Sequence, residues 1–334
     1  MKKKSAVYKY NYYDSAGIRR CKSFTAPTMK EARLKAAQWE IDHPQRSSDS
    51  TPISDAVEAY IEMQTPVLSP STVRAYKSIL KHRIPAIGNI KLKDIDADTV
   101  QNWINGMVFD RLSPKTVRNC YALLMASIHA KDRRIVLDVK LPQPERYIGH
   151  TPSDDEVKAI LEYAKRTGRR DLYIAILLAA FGPLRRSEVC ALTSDDVRGN
   201  EVTVSKDVVK DDLGMWHVKT TKTQKSTRVI SYPDFVIDEI KGIKGQLVSC
   251  NPDQLHMRFR RALEASGSPH FRFHDLRHYG ASIMHALGVP DIYIMERGGW
   301  STDYVMKRVY INAMDEEKRR QTDKINSHFE RFGT

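Results

Sequence analysis

The segment LYIAILLAAFGPLRRSEVCAL, residues 172–192, joins the longest apolar run of the chain to a cluster of charges. The apolar run, Leu172 to Phe181, has ten residues, so it is too short to cross a bilayer and predicts a buried helix. Arg185 then lies between two apolar segments, where burial of an arginine is unfavourable unless an anion meets it. Two interpretations stay open here: Arg185 binds an anion, or it is an exposed turn residue that pairs with Glu188.

Three more fragments downstream combine basic, histidine and aromatic side chains. They are a basic turn with Lys222 and Lys225, the run His274-Asp275-Leu276-Arg277-His278, and Gly298-Gly299-Trp300 followed by Tyr304 and Tyr310. On a helix, His274 and Arg277 share one face, which places a proton-transfer group beside a permanent cation. Taken singly, each fragment is also typical of ordinary structure: a solvated hairpin, a structural pair or a core aromatic with a surface hydroxyl.

The composition is that of a folded chain. Its 334 residues are 41% hydrophobic and 28% charged, and the length suggests two or three domains. Met1-Lys2-Lys3-Lys4 has no apolar stretch behind it, so no secretory signal is predicted. The four cysteines, at positions 21, 120, 190 and 250, are too far apart for a clustered zinc site and argue against a disulfide scaffold. A reducing cytoplasm is therefore expected.

The net charge of +13 is concentrated at the N-terminus. Residues 1–46 hold 11 basic and 4 acidic side chains, a net of +7, whereas residues 47–148 and 149–334 each have a net of +3. This segment is either a solvated basic tail or a small module that contacts phosphates. Its sequence favours structure: a strand from Val7 to Tyr12, a turn at Asp14 to Gly17, a strand from Ile18 to Phe24, and a helix from Thr28-Met29-Lys30-Glu31 to about Ile41.

The rest of the chain divides at two proline-containing segments, His43 to Pro52 and Leu141 to Pro144. Between them, four amphipathic stripes predict helices, two of which begin with Ser-Pro at Ser69 and Ser113. After them, helices are predicted at 153–166 and 171–181, short strands at 201–231, and helices from about 253 to the end. The fold class predicted is α+β and multidomain.

In this order, the fragments resemble the tyrosine recombinase, or phage integrase, family, and the resemblance covers the whole chain. That family carries an arginine in a Gly-Leu-Arg-x-x-Glu type motif, a lysine in a β-hairpin, His-x-x-Arg on a helix, a His or Trp after glycine, and then a nucleophilic tyrosine. The matching residues here are Arg185, Lys222, His274, Arg277, Trp300 and Tyr310.

Three departures from the family pattern are visible. Pro183 adds a residue before Leu184-Arg185, Trp300 stands where most members have histidine, and Trp300 to Tyr310 spans ten residues, one more than usual. Within the fragments, the weaker alternatives are Lys225 in place of Lys222 and Tyr304 in place of Tyr310.

The resemblance implies an architecture that closes around DNA as a clamp. A small sheet-plus-helix arm-type DNA-binding domain would occupy residues 1–46, followed by a linker at 47–52. An all-α core-binding, SAM-like domain would span 53–147, and a mixed, mainly helical catalytic domain with a C-terminal tail would span 148–334.

The resemblance also implies DNA strand transfer through a 3′-phosphotyrosyl link, with Tyr310 as nucleophile. Arg185 and Arg277 would stabilise the charge that develops on the phosphate. Lys222 would be the acid that protonates the leaving group, and His274 would be the proton acceptor. Trp300 would pack the site and donate a hydrogen bond, and Glu188 would be the orienting carboxylate. No cofactor or metal is implied, because the arginines supply the positive charge.

The implied partners are double-stranded DNA attachment sites, both core and arm, and three further copies of the chain in a tetramer. An excisionase and a host DNA-bending protein are further expected partners, and no membrane is. The expected enzyme is a cytoplasmic, nucleoid-associated integrase of a prophage or conjugative element. The alternatives are a type IB topoisomerase-like enzyme and a non-catalytic DNA-binding regulator.

Overall fold

The computed structural model describes most of the chain, which divides into two compact units, Met1–Arg146 and Tyr147–Thr334. The described residues are 5–13, 19–42, 49–144, 150–220, 227–302, 322–323, 325–330 and 332. The fold is a mixture of helices and small antiparallel sheets, which confirms the predicted α+β class. In this described part, no helix is long and apolar enough to span a membrane.

The N-terminal segment forms a hairpin covered by a helix, as predicted. Strands β1 (Ala6–Tyr13) and β2 (Arg19–Ala26) pair antiparallel, and helix α1 (Met29–Asp42) follows. The hydroxyl of Thr28 accepts a hydrogen bond from the Glu31 amide at 3.2 Å, so the predicted cap is present. Trp39 of α1 packs its ring against the rings of Tyr12 and Phe24, with centroids 4.9 and 6.0 Å apart. The turn predicted at residues 14–17 lies outside the described residues.

All four predicted helices of the next segment are present: α2 (Ile53–Gln64), α3 (Pro70–His82), α4 (Ala97–Phe109) and α5 (Pro114–Lys131). Their apolar stripes meet in one core that includes Val57, Val73, Ile104 and Leu124. The two Ser-Pro starts differ in detail. Ser113 caps α5 by accepting from the Thr116 amide, whereas the Ser69 hydroxyl pairs with Ser71 and makes no cap bond.

The second unit surrounds a buried helix with further helices and short strands. In chain order the elements are α6 (Asp154–Arg166), α7 (Arg170–Phe181), α8 (Arg186–Val189), β3 (Val197–Arg198), β4 (Glu201–Val204), β5 (Lys206–Lys210), β6 (Trp216–Thr220), β7 (Arg228–Ser231), α9 (Asp234–Ile240), α10 (Pro252–Ser266), α11 (Phe273–Ala286) and α12 (Asp291–Gly298). Strands β3, β4 and β7 form one antiparallel sheet, and β5 pairs with β6 in a separate hairpin. Helix α9 was not predicted, because its seven residues are too few to show a clear helical period.

Helix α7 is the predicted apolar run, and it forms the centre of this core, with eight of its residues buried. Helix α11 lies close against it at Gly280. A Cβ atom at Gly280 would lie 2.2 Å from the carbonyl oxygen of Ala180, so only glycine permits this approach. The contact brings the first two turns of α11, with His274 and Arg277, to the segment that follows α7 and carries Arg185.

Candidate active site

Arg185 occupies the position just before α8, in extended backbone, where it meets both a carboxylate and a distant turn. Its Nη1 donates to Glu188 Oε1 at 2.6 Å, and its backbone amide donates to Glu188 Oε2 at 2.7 Å. Its Nη2 donates to the carbonyl oxygen of Gly299 at 2.9 Å. The side chain is still 41% exposed. The pairing with Glu188 that the sequence left open is therefore present, and the exposed part of the guanidinium leaves anion binding by Arg185 a prediction.

Glu188 is buried and is shared by a second arginine, Arg228, which the sequence reasoning missed. Arg228 donates from Nη1 and Nη2 to the two carboxylate oxygens at 3.1 and 2.8 Å. Burial alone would raise the pKa of Glu188, but the hydrogen bonds and charges of Arg228 and Arg185 outweigh it and lower the pKa to about 2. A usable signal existed: Arg228 and Ile230 share the inward face of β7, and a charge on an inward face needs a buried partner.

Among the described cations of the site, Arg277 is the most deeply buried, with 1% of its surface exposed. Its guanidinium carbon lies 4.0 Å from the ring centroid of Trp300, and its Nη1 donates to the Pro183 carbonyl oxygen at 2.6 Å. Among the described residues, its buried Nη2 has no hydrogen-bond partner. Burial and the charge of Arg185 lower the pKa of Arg277 well below its ordinary value. An unpaired donor beside a second arginine suits an anion that brings its own oxygens.

His274 lies in the first turn of α11, and its ring meets the ring of His278 edge to face, with centroids 4.8 Å apart. The His274 side chain keeps exposed surface, yet protein atoms crowd its ring. This crowding, then the charges of His278 and Arg277, lowers the pKa of His274 to about 4. Burial lowers the pKa of His278 to about 4 as well. Both rings are therefore neutral at pH 7, and the lowered pKa makes each a weaker base than a free imidazole.

Trp300 follows Gly299, which ends α12 in the left-handed conformation at φ +67°. The indole is buried and packs with Ala281 and Ile294, so its ring forms a platform under Arg277. The turn at Gly299 thus serves both arginines: its carbonyl oxygen holds Arg185, and the next side chain supports Arg277.

Four of the six residues expected in the site lie in the described part of the chain. Of these, the structure joins Arg185 to Arg277 through Gly299 and Trp300, and places His274 one helical turn before Arg277. Lys222 and Tyr310, with their alternatives Lys225 and Tyr304, lie outside the described residues. Within the described ranges, no group of three or more His, Cys, Asp or Glu side chains is arranged to hold a metal ion.

Comparisons with known proteins agree with this arrangement. Residues 53–108 match the family model of the phage integrase N-terminal SAM-like domain, and residues 153–317 match that of the phage integrase family. The putative prophage phiRv2 integrase of Mycobacterium tuberculosis is 26% identical over 319 residues, covering 84% of this chain and 82% of that protein. The integrase of Salmonella phage P22 is 36% identical over 95 residues, covering 28% of this chain and 23% of that protein.

Solved structures share the fold at low sequence identity. The Tn1549 transposon integrase, in complex with circular intermediate DNA, superposes with a TM-score of 0.68 at 15% identity, covering 82% of this chain and 99% of that chain. A lambda integrase dimer bound to a core site gives 0.63 at 16% identity, covering 91% and 93%. With both family models matched in order and the arginine site assembled between α7, α11 and α12, the chain belongs to the phage integrase family of tyrosine recombinases.

Proposed function

We propose that this protein is a site-specific recombinase that cuts and rejoins DNA at attachment sites through a 3′-phosphotyrosyl intermediate, and so integrates and excises a mobile element. The observation that carries the proposal is the arginine pair. Arg185 is held by Glu188 and Gly299, and Arg277 lies on Trp300 with a buried amino group that has no partner among the described residues. Two such guanidinium groups match the oxygens of a phosphodiester that gains charge in the transition state.

In the first step, the Tyr310 oxygen attacks the scissile phosphorus in line. A bond forms between the tyrosine oxygen and phosphorus, and the bond from phosphorus to the 5′-oxygen breaks. His274, which is neutral before the reaction, takes the phenolic proton, and Lys222 gives a proton to the leaving 5′-oxygen. In the second step, the 5′-hydroxyl of another strand gives its proton to Lys222 and attacks the phosphotyrosyl phosphorus. The bond from phosphorus to the 5′-oxygen forms, the bond from phosphorus to the Tyr310 oxygen breaks, and His274 returns the proton to the tyrosine. Bond energy is therefore retained, and no nucleotide cofactor is consumed.

The proposed domains divide DNA binding between them. Residues 1–46 bind arm-type sites, residues 47–52 form a linker, residues 53–147 bind the core site, and residues 148–334 carry the chemistry. The side of the β1–β2 hairpin that α1 leaves uncovered supports the first assignment, because Lys9, Asn11 and Ser23 are all exposed there. A lysine beside short polar side chains on a strand suits phosphate and base contacts in a groove.

We propose a tetramer on paired sites, as in the lambda integrase tetramer that was solved on a Holliday junction. Ile325 and Phe329 in the helical residues 325–330, and Phe332 in a turn, expose apolar side chains near the C-terminus. A cavity of about 500 Å³, lined in part by Phe181 and Tyr293, offers an apolar surface on which these side chains of a neighbour can pack. The proposal also includes two partners, an excisionase and a host DNA-bending protein. It places the protein on the nucleoid in the cytoplasm.

The decisive experiment is trapping of the covalent intermediate on a nicked suicide DNA substrate. Wild-type protein should give a DNA adduct that resists SDS, and Tyr310→Phe should give none. Tyr304→Phe is the matched control and should retain the adduct. An adduct that persists in Tyr310→Phe and maps to Tyr304 would refute the nucleophile assignment. Relaxation of supercoiled DNA without joining of two sites would instead favour the topoisomerase alternative.

The leaving-group acid has a separate test. Lys222→Ala should cleave normal DNA slowly and regain its rate on DNA with a sulfur in place of the 5′-oxygen, because a thiolate leaves without a proton. Lys225→Ala should show no such difference between the two substrates. Rescue that occurs only in Lys225→Ala would move the role to that residue.

A further inference from the structure

Arg228 is buried at the point where three parts of the second unit meet. It begins β7, and its two Nη atoms hold the Glu188 carboxylate beside α8. Its Nε donates to the carbonyl oxygen of Arg297, in the last turn of α12, at 2.9 Å. One side chain therefore connects β7 to both segments that contact Arg185.

The Arg185 side chain donates to one residue that Arg228 binds, Glu188, and to one that Arg228 contacts, Gly299. Nη1 of Arg185 donates to Glu188, and Nη2 donates to the carbonyl oxygen of Gly299. Gly299 itself packs against Arg228: a Cβ atom at this glycine would lie 3.0 Å from Arg228 Nη1. Moving Arg228 would therefore release both supports of Arg185.

The charges of this cluster point the same way. Arg185 and Glu188 alone would form a neutral pair and bind a phosphate weakly. With Arg228 added, two cations share one carboxylate, and one positive charge remains. Arg228 is buried and Arg185 is 41% exposed, so this remaining charge faces outward through Arg185.

We propose that Arg228 is a positioning residue for the recombination reaction: it fixes the direction of the Arg185 guanidinium and keeps Glu188 from cancelling its charge. The inference rests on the proposed function and adds a residue to it. The competing explanation is that Arg228 is a structural ion pair that only stabilises the fold. The two explanations differ in how a variant should respond to the charge of the DNA phosphate.

The test measures covalent complex formation with two suicide substrates, one with a normal scissile phosphate and one with a methylphosphonate there. The methyl group removes the negative charge, so the reaction depends less on Arg185. Relative to wild type, Arg228→Met should slow adduct formation on the phosphate about 100-fold, and on the methylphosphonate only about threefold. Arg185→Met should show the same selectivity.

Arg297→Met is the matched control. Arg297 donates to the carbonyl oxygens of Phe181 and Ser231 and so holds the same turn of α12, but its side chain bonds to neither Glu188 nor Arg185. Arg297→Met should slow adduct formation equally on both substrates. Arg228→Lys is a second variant, made in case Arg228→Met folds poorly. It keeps the positive charge near Glu188 and should slow adduct formation on the phosphate substrate only about tenfold.

Equal losses on both substrates in Arg228→Met and Arg228→Lys would overturn the inference and leave Arg228 a structural residue. Absence of any adduct with wild-type protein would instead reject the proposed function. The two failures are therefore distinguishable in one experiment.

Discussion

The N-terminal hairpin module and the arginine site hold their cations in opposite ways. In the module, Lys22 lies 4.3 Å from the Trp39 ring and Arg33 lies 5.7 Å from the Tyr8 ring, and both side chains are exposed. In the site, Arg228 and Arg277 are buried. The module carries over half of the net charge, +7 of +13, whereas residues 149–334 carry only +3.

The difference indicates two uses of positive charge. Exposed cations attract DNA by releasing counterions and need no fixed direction. Buried cations are fixed in direction by their partners, which suits a transition state, but burial of charge destabilises the fold unless each charge is paired. On the proposed function, net charge therefore indicates which region attracts DNA and says little about where the chemistry occurs.

Replacement of Arg277 tests this division most strongly. Arg277→Met should lower the cleavage rate by about 100- to 1000-fold, because the phosphate loses a fixed cation. It should also raise the free energy of unfolding by about 1 kcal/mol, since a buried and incompletely paired charge is replaced by an apolar side chain of similar size. Cleavage assays and thermal denaturation of the full chain measure the two effects.

Arg258→Met is the comparison for Arg277→Met. Arg258 pairs with Asp171 at 3.1 Å and is 44% exposed, so its loss should change neither quantity appreciably. A destabilised Arg277→Met would mean that this arginine supports the fold as well as the reaction.

Deletion of residues 1–46 separates the two regions. The shortened chain should lose arm-site binding by about 100-fold at moderate salt, while cleavage at a core site is spared. Filter binding measures the loss of arm-site binding, and the suicide-substrate assay measures cleavage at the core site.

A single substitution tests whether the charge or the folded structure of residues 1–46 is responsible for arm-site binding. Trp39→Ala keeps every charge of residues 1–46 but removes the ring against which Tyr12 and Phe24 pack. Loss of arm binding in this variant would show that the folded module is needed. Unchanged binding would make the segment a charged tail, the other interpretation of its sequence.

Local sequence patterns predicted most of the fold because caps, turns and apolar stripes depend on residues that are close together in the sequence. The hairpin, the Thr28 cap and all four helices of residues 53–131 are present as predicted. Local patterns also have limits. Helix α9 is too short to show a period, and the Ser69 cap bond is absent although its sequence matches that of Ser113.

The site shows the same limit. The motif residues Arg185, His274, Arg277 and Trp300 were recognisable in the sequence because their spacing is distinctive. Arg228 was not, because its partners lie 40 and 69 residues away along the chain, at Glu188 and Arg297. A solvated hairpin arginine and a buried one look alike until the fold brings a carboxylate to one of them.

The histidines make the stability of the second unit depend on pH. The pKa values of His274 and His278 fall from the ordinary 6.5 to about 4 on folding. Between these values the unfolded chain binds more protons than the folded chain, so stability rises with pH across this window and is lost as pH falls through it. Urea unfolding at pH 4.5, 5.5 and 6.5 should show this rise, with a shallower slope in His278→Gln. A flat profile would contradict the lowered pKa values of these two rings.

The smallest predicted effect separates the two faces of the hairpin. Lys9 points away from α1, whereas Lys22 lies over Trp39 on the covered face. If the uncovered face contacts DNA, Lys9→Ala should reduce the slope of log affinity against log salt for arm DNA by about 0.9, the value for one lost phosphate contact. Lys22→Ala should leave that slope unchanged and instead destabilise the module by about 0.5–1 kcal/mol, because it loses a cation–π contact. The reverse pattern would place DNA on the face that α1 covers, where DNA would have to displace the helix. It would therefore exclude DNA binding by the hairpin as it is folded here.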